Sequence, residues 1–475
     1  MVKLIRLFKT PNAYYAFDAV KGKLIEIQKE SYEYLKKENG LEGVTRELLE
    51  FQEQGFFSGK SPVKRISHPY ADVLDVYMKR KVAKITLQVT QQCNFRCTYC
   101  IYSEDHNLQQ RNHSNRRMDF RVAKRAVDFL WEHSIDSSDV NIGFYGGEPL
   151  LNFDLVRQVV EYSKKIFYGK VLTYNITTNG SLLEDNIVDF LKENHVSLMI
   201  SLDGPKSIHD HNRRFGNGEG TYDVVMSKIQ RIRERHPDYW ESIQYSMVMD
   251  PVNDFAEISG ICQNEVIVPQ KLFASLIDMD YDNAVAEVSE IYVENFQYSM
   301  FLAFLAYWNR YPEEKVSAIS IKQVETILGQ LYHIDMMGEL READIPAGPC
   351  IPGAMRMFVD VDGQIFPCER VSEQSEAMKI GNIGSGFDLD KVRQLLEVGK
   401  LTEDNCKDCW CFRMCNQCAK KADGGKGELM SQARLRYCIN SMREAYIKLR
   451  EYILIQEVPV YYKEQIRKTD GEVRL

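Results

Sequence analysis

Hydrophobic and polar residues alternate in three short segments at the start of the chain and then recur at helical spacing. The alternation covers Lys3–Phe8, Tyr14–Asp18 and Leu24–Ile27, which predicts three short strands joined by turns. Helical spacing follows in Ser31–Lys37 and Val44–Gln54, which predicts two helices. We therefore expect residues 1–80 to form a small winged-helix-like domain that ends in a linker near residues 57–68.

From about residue 82 short apolar runs alternate with helical stretches. Strands separated by helices favour right-handed crossovers and a parallel sheet. The α/β pattern predicts a partial (β/α)6 TIM-type barrel over residues 81–281, with its functional residues at the carboxyl ends of the strands. The predicted strands are Ala83–Thr90, Val140–Phe144, Val171–Thr177, Ser197–Ser201, Ile243–Val248 and Lys271–Leu276. We expect a helical connecting region over 282–345 and a Cys-rich, metal-dependent domain with a C-terminal helix over 346–475.

Composition narrows the class of protein. The chain has 475 residues and a formal net charge of −8, which predicts more than one core and argues against a nucleic-acid partner. No apolar run approaches the roughly 20 residues that cross a bilayer, and the first residues lack a signal-peptide pattern. We therefore expect a cytoplasmic protein without a membrane partner.

The twelve cysteines then become informative. A reducing compartment does not preserve structural disulfides, so clustered cysteines indicate metal ligands or catalysts. Three lie within residues 93–100 and five within 406–418. Two metal-binding regions are the expected outcome.

The first cysteine group, Cys93, Cys97 and Cys100, directly follows the first predicted barrel strand. Three thiolates at this spacing can hold three irons of a four-iron cluster and leave the fourth iron open for a substrate or cofactor. Zinc is the alternative. A structural zinc site takes four closed ligands, and the sequence offers no fourth ligand nearby.

The CxxxCxxC spacing after the first strand resembles the radical S-adenosylmethionine (SAM) superfamily. Further segments match that family in order, each at a predicted strand end or just beyond it. Each one alone is more typical of a turn, and their order makes the combination specific. These segments are Gly146-Gly147-Glu148-Pro149, Thr177–Gly180, Ser201–Gly204 and Asp210–Arg213.

The resemblance implies reductive cleavage of SAM to methionine and a hydrogen-abstracting 5′-deoxyadenosyl radical. It places the SAM amino group on the Gly146–Pro149 segment, where glycines let the backbone approach closely and a carboxylate or carbonyl accepts from the ammonium. Ser201 and Arg213 are expected at the ribose or carboxylate of SAM, and Asn179 in the same pocket. The planar fork of an arginine suits a carboxylate.

The remaining cysteines resemble the SPASM extension of radical SAM enzymes that modify peptides and proteins. In that family they hold two auxiliary four-iron clusters, so three clusters are implied in all. By resemblance Cys406, Cys409, Cys415 and Cys438 bind the distal cluster, and Cys350, Cys368 and Cys418 bind the proximal one. The sequence departs from the family in its shorter Cys415–Cys418 spacing and in the extra Cys411. Zinc sites built from the CxxC pairs are the alternative.

Three protein ligands would leave one proximal iron open to a substrate thiolate, because soft sulfur favours iron. This favours thioether formation on a cysteine-containing peptide. Sulfatase maturases have an aspartate after the cysteine that matches Cys368, thought to take a proton from the substrate. Here Glu369 followed by Arg370 stands there. A base role for Glu369 and an ion pair with Arg370 or another residue are both open.

Residues 1–80 resemble the leader-peptide recognition domain of maturases of ribosomally synthesised peptides. Such a domain adds the leader as a strand at a sheet edge, and a structural cap on the barrel is the alternative. The expected partners are a precursor peptide and a reductant such as flavodoxin or ferredoxin. The leading hypothesis is a peptide maturase of the sactipeptide or ranthipeptide thioether type. Carbon–carbon cross-linking, sulfatase maturation and a non-catalytic peptide-binding scaffold are the competing interpretations.

Overall fold

A computed structural model describes residues 4–37, 44–100, 113–277, 287–346, 350–425 and 427–472. The predicted boundary between residues 281 and 282 lies outside the described residues. No helix in the described ranges is long and apolar enough to cross a membrane.

The amino-terminal segment forms an antiparallel three-stranded sheet followed by two helices. The strands β1 (Ile5–Lys9), β2 (Tyr14–Asp18) and β3 (Lys23–Ile27) pair in chain order. The helices α1 (Lys29–Lys36) and α2 (Arg46–Glu53) follow. The side chain of Thr45 accepts from the backbone N–H of Leu48 and caps α2, which satisfies an otherwise unpaired donor of the first turn. These elements lie where the hydrophobic pattern predicts three strands and two helices.

The predicted linker contains a strand of its own. The two-residue strand β4 (Arg65–Ile66) precedes the helix α3 (Leu74–Arg80). It pairs in parallel with a distant strand at residues 343–344. The segment is therefore tied to the region beyond the barrel.

Six parallel strands form the main sheet, in the spatial order β10-β9-β8-β7-β6-β5. The helix α4 (Phe120–His133) packs on this sheet through apolar residues at helical spacing. Its Ala123, Ala126, Val127 and Leu130 are fully buried, and burial of such a face stabilises the packing of helix on sheet. The strands are β5 (Lys84–Thr90), β6 (Asp139–Gly146), β7 (Val171–Thr178), β8 (Val196–Ser201), β9 (Gln244–Met249) and β10 (Leu272–Leu276). The helices are α4 (Phe120–His133), α5 (Phe153–Ile166), α6 (Asp185–Glu193), α7 (Lys206–Asn212), α8 (Tyr222–Arg235), α9 (Pro237–Ser242) and α10 (Phe255–Ser259). This parallel-dominated α/β architecture agrees with a partial TIM-type barrel.

The carboxyl-terminal part extends the same sheet rather than forming a separate one. The strand β12 (Met357–Val359) pairs in parallel with β5. Three antiparallel strands then continue the sheet, which has ten strands in all: β13 (Gln364–Phe366), β14 (Gly381–Asn382) and β15 (Gly386–Phe387). Because Cys368 follows β13, this pairing brings Cys368 against the core of the barrel.

Helices and a short strand fill the remainder. The helices α11 (Glu290–Tyr307) and α12 (Ala318–Asp335) occupy the predicted connecting region, and β11 (Ala343–Asp344) is the partner of β4. The later helices are α13 (Leu389–Leu396), α14 (Glu403–Cys406), α15 (Ser431–Arg436) and α16 (Cys438–Glu472). Phe8 and Phe17 of the amino-terminal sheet pack in one core with residues of α11, α12 and α16.

Candidate functional site

The carboxyl ends of the parallel strands surround a cavity of about 290 Å³. All three cysteines of the first group line it, together with most of the residues expected to hold SAM. Its lining includes Cys93, Cys97, Cys100, Gly146, Gly147, Thr177, Thr178, Asn179, Ser201 and Arg213, and also Tyr99, Tyr145, Ser246 and Leu276. The motifs that the sequence separates by up to about 120 residues therefore meet in one place, as strand-end placement predicts.

Backbone hydrogen bonds hold the cysteine loop against the segment that follows α7. The N–H of Arg96 donates to the carbonyl of Arg214 at 2.7 Å, and that of Thr98 to the carbonyl of Asn212 at 3.0 Å. The buried ring of Phe95 packs edge-on against Phe215, with centroids 5.0 Å apart. The loop is thus fixed by its non-cysteine residues, which leaves the thiols at the cavity.

The thiols of Cys93 and Cys97 each have a pKa raised to about 12, chiefly by burial. The carboxylate of Glu148 raises the pKa of Cys93 further, and so do the neighbouring thiols of Cys97 and Cys100. The two thiols of Cys93 and Cys97 are costly to ionise without a cation, which suits a bound metal cluster because such a cluster ionises its thiol ligands. Three cysteines and no fourth line this cavity, so the donor set fits a cluster with one open iron.

The two glycines after β6 are required by contact with protein backbone. A Cβ on Gly146, whose φ is +140°, would lie 2.2 Å from the carbonyl oxygen of Thr90, and one on Gly147 would lie 2.2 Å from that of Gln92. Any side chain here would push the strand end away from the start of the cysteine loop. The glycines therefore allow β6 to lie directly against the loop that carries Cys93.

Glu148 supports the cavity from outside its lining. It is fully buried, and its carboxylate accepts from the hydroxyl of Thr178 at 2.6 Å, the N–H of Asn179 at 2.7 Å and the N–H of Leu150 at 3.0 Å. Burial raises its pKa to about 6, against the lowering effect of these hydrogen bonds. Neither Glu148 nor Pro149 lines the cavity. Gly146 and Gly147 of the same motif do line it.

Arg213 reaches the cavity from a buried ion pair. Its Nε donates to Oδ2 of Asp203 at 2.8 Å, and the two side chains are 9% and 0% exposed. The carboxylate of Asp203 also accepts from the hydroxyl of Tyr99 and from the N–H of Val248 at 3.0 Å. Asp203 thus holds the Nε of the guanidinium at the wall of the cavity. Asp203 belongs to the Ser201–Gly204 segment but has no predicted role of its own, and the sequence pattern does not point to Tyr99.

A second cavity, of about 220 Å³, collects the distal cysteines. Cys406, Cys409, Cys415 and Cys438 line it, as the resemblance predicts, and so does the extra Cys411. Cys411 is 1% exposed, and its thiol donates to the carbonyl of Ser441 at 3.5 Å. The structure accounts for Cys411 as a hydrogen-bonded core thiol beside the other four.

The three proximal cysteines also lie near one another. Burial raises the pKa of the Cys350 thiol, and the neighbouring thiols of Cys368 and Cys418 raise it further. The carboxylate of Glu369 forms an ion pair with Arg356, which is a residue other than the adjacent Arg370. Among the described residues no three His, Cys, Asp or Glu side chains form a group that could hold a single metal ion.

Comparison with known proteins bears on the barrel first. Residues 87–261 match the family model of the radical SAM superfamily. The chain is 36% identical over 135 residues to an uncharacterized protein of Methanocaldococcus jannaschii, and 26% identical over 253 residues to the radical SAM cyclopropyl synthase TigE of Paramaledivibacter caminithermalis. It spans about half the length of these two relatives, 43% and 53%.

Longer matches extend the comparison past the barrel. A cysteine-type anaerobic sulfatase-maturating enzyme of Clostridium perfringens is 24% identical over 380 residues, which is 74% of this chain and 92% of that enzyme. The solved structure of native anSMEcpe with bound AdoMet superimposes with a TM-score of 0.57 at 20% identity, over 80% of this chain and 99% of that one. The structural likeness to native anSMEcpe shows that the two proteins share a fold. The match to the family model identifies residues 87–261 as a radical SAM superfamily domain, and such a domain implies SAM and a four-iron cluster as cofactors.

Proposed function

We propose that the protein is a radical SAM maturase that installs thioether cross-links in a ribosomally made precursor peptide. The observation that carries the peptide-thioether part is that the thiols of Cys368 and Cys418 lie close enough to Cys350 to raise its pKa, with Cys368 two residues after β13. A cluster with three protein ligands has an iron open to a substrate thiolate. The relatives named as a cyclopropyl synthase and a sulfatase-maturating enzyme support a radical SAM modifying enzyme.

The side chains of the cavity have binding and positioning roles in this proposal. Arg213 binds the carboxylate of SAM while Asp203 holds its guanidinium in place. Glu148 holds the N–H of Asn179, which keeps that side chain at the cavity. When bound, SAM and the clusters supply a hydrogen-abstracting 5′-deoxyadenosyl radical and an acceptor for the second electron that leaves the peptide. The carbon–sulfur bond forms as one carbon-bound hydrogen and the thiol proton leave the peptide.

The amino-terminal sheet offers a place for the leader peptide. The outer edge of β3 has no neighbouring strand among the described residues, and an exposed edge can pair with an extended segment. A cavity of about 480 Å³ lies beside its end and against α2, lined by Gln28, Arg46, Glu47, Glu50, Phe51 and Gln54. A leader strand with pairable backbone and a basic or polar side chain fits this edge.

Sulfatase maturation is a second candidate that the comparisons support about equally. The match to the Clostridium perfringens enzyme covers most of both chains, and Glu369 follows Cys368 where those enzymes carry their proposed base. In this structure the carboxylate of Glu369 forms an ion pair with Arg356. A base role for Glu369 would require that ion pair to open. We therefore rank the thioether proposal above sulfatase maturation.

Mass spectrometry of the modified peptide separates the two candidates. The reconstituted chain, SAM and a reductant are incubated in parallel with a cysteine-containing precursor peptide encoded beside the gene and with a sulfatase-derived cysteine peptide. Thioether formation removes two hydrogens and keeps sulfur, and formylglycine formation removes sulfur. Loss of two hydrogens from the precursor supports the proposal. Loss of sulfur from the sulfatase peptide alone would replace it with the second candidate, and a cross-link in a cysteine-free precursor would favour carbon–carbon chemistry.

A further inference from the structure

A buried arginine lies at the wall of the distal cysteine cavity. Arg434 of α15 is 2% exposed, and it lines the same cavity as Cys406, Cys409, Cys415 and Cys438. Burial raises the pKa of the Cys415 thiol, and the charge of Arg434 is among the effects that oppose this rise. The guanidinium therefore lies within electrostatic range of the distal thiols.

The hydrogen-bond acceptors of Arg434 carry no charge. Its Nε donates to the hydroxyl oxygen of Thr402 at 3.2 Å, and a terminal nitrogen donates to the backbone carbonyl of Gln417 at 3.4 Å. No ion pair joins Arg434 to a carboxylate in the part of the chain that the structure describes. The acidic residue next to Thr402, Glu403, accepts instead from the backbone N–H of Ile66. A guanidinium stays protonated in proteins, so a buried positive charge remains beside the cysteines, and such a charge is costly without an anion.

Four thiols that bind a four-iron cluster supply that anion. Metal coordination ionises the thiol ligands, and a cluster with four thiolates carries a net negative charge. Reduction adds one more negative charge. A fixed cation close by therefore favours the reduced form and raises the reduction potential, which depends on the net charge and on hydrogen bonds to the sulfurs.

The hydroxyl of Thr402 connects Arg434 to one of these sulfurs. Its oxygen lies 3.2 Å from the sulfur of Cys406, and either atom can be the donor while Cys406 is a thiol. An ionised Cys406 can only accept, so the hydroxyl then donates to it. The other acceptor of this hydroxyl, the carbonyl of Gly399, is farther away at 3.5 Å. Because Arg434 donates to the same oxygen, the hydroxyl hydrogen points away from the guanidinium and is available to the sulfur.

We propose that Arg434 is the buried counter-charge of a four-iron cluster on Cys406, Cys409, Cys415 and Cys438, and that with Thr402 it raises the reduction potential of that cluster. The inference rests on the proposed function, which includes the auxiliary clusters, and adds the residues that set the potential of one of them. Both side chains are positioning residues that act on the cluster through the cysteine sulfurs and through charge. A raised potential makes the distal cluster a better electron acceptor.

Redox titration of the anaerobically reconstituted full chain, followed by electron paramagnetic resonance, tests the counter-charge. The distal signal is the one that Cys409→Ala lacks. We expect Arg434→Met to lower the equilibrium constant for reduction of this cluster about tenfold, which corresponds to a midpoint potential about 59 mV lower. Thr402→Val removes one hydrogen bond and keeps the charge, so it should lower the potential by less. Arg434→Lys keeps the charge and should keep most of the wild-type potential.

Arg443→Met is the matched control, because Arg443 is an exposed arginine on α16, the helix that begins at Cys438. Solvent and salt screen its charge, so the distal potential should not move. An unchanged potential in Arg434→Met, an equal fall in Arg434→Lys, or a wild type without the distal signal would overturn the counter-charge. If Arg434→Met loses the distal irons, Arg434→Lys decides. Retained irons at the wild-type potential support the charge, and loss of the irons there as well makes the role of Arg434 structural.

Thioether formation on the cysteine-containing precursor peptide is measured with the same preparations. Thioether from the wild type with an unchanged distal potential in Arg434→Met removes the counter-charge alone. A lowered potential in Arg434→Met with no thioether from the wild type removes the proposed function alone.

Discussion

The buried ion pair between Asp203 and Arg213 allows a quantitative test of how the SAM cavity is held. Asp203→Asn preserves the shape of the side chain but removes the charge that faces the guanidinium of Arg213. Both side chains are at least nine-tenths buried, so solvent cannot replace the lost partner. Breaking a buried pair by neutralising one member costs about 3–5 kcal/mol. We expect a loss of unfolding free energy of that order, together with weaker SAM binding.

A double-mutant cycle isolates the pair. Urea unfolding of the cluster-free chain is followed for Asp203→Asn, Arg213→Met and the double variant. The double variant should be less destabilised than the sum of the two single variants, because it leaves no unpaired buried charge. Asp136→Asn is the matched control, since Asp136 pairs with Arg80 at the surface, and it should leave stability almost unchanged.

The reasoning would be refuted if Asp203→Asn destabilised the protein no more than Asp136→Asn does. It would equally be refuted if the two single variants added without coupling. In either case Arg213 would not depend on Asp203 for its position.

Three further outcomes follow from the same geometry. Gly146→Ala should lose roughly 1–3 kcal/mol of unfolding free energy from backbone strain alone, because its Cβ would meet the carbonyl of Thr90. The control Gly216→Ala should keep its unfolding free energy, because a Cβ there meets nothing within 4 Å. Equal urea midpoints for the two variants would contradict the account. Burial lowers the pKa of His209 from 6.5 to about 4, so the unfolded chain binds the proton first and stability should fall as pH drops from 6.5 towards 4; a His209→Gln variant with the same pH profile would contradict this. Cys411→Ala should keep the iron content of the reconstituted chain, whereas Cys409→Ala should lose up to about four irons; equal losses would make Cys411 a ligand.

Local pattern was sufficient to predict the barrel and the location of its chemistry. The strands of the parallel sheet are five to eight residues long, which is enough for apolar periodicity to be recognised. Cys93, Asn179 and Arg213 line one cavity. This follows because each lies at or beyond the carboxyl end of a parallel strand, and those ends meet on one side of a barrel. These features depend on neighbours in the chain and on one topological rule.

Long-range pairing and buried polar partners were not predictable in the same way. The strands β12–β15 contain two or three residues each, too few for any periodicity, and β12 joins β5 across more than two hundred residues. The side chain of Glu148 turns to Thr178 and Asn179 rather than to the cavity, which only three-dimensional packing decides. The same holds for the pairing of Glu369 with Arg356.

The central claim is that Cys93, Cys97 and Cys100 hold the cluster at which SAM is cleaved in the barrel cavity. The most direct test measures 5′-deoxyadenosine formed from SAM by the anaerobically reconstituted, reduced chain and by the variant with all three cysteines changed to Ala. The account predicts product from the wild type and none from the variant, whose iron should fall from about twelve to about eight per chain. Undiminished product from the variant, or none from a fully iron-loaded wild type, would contradict it.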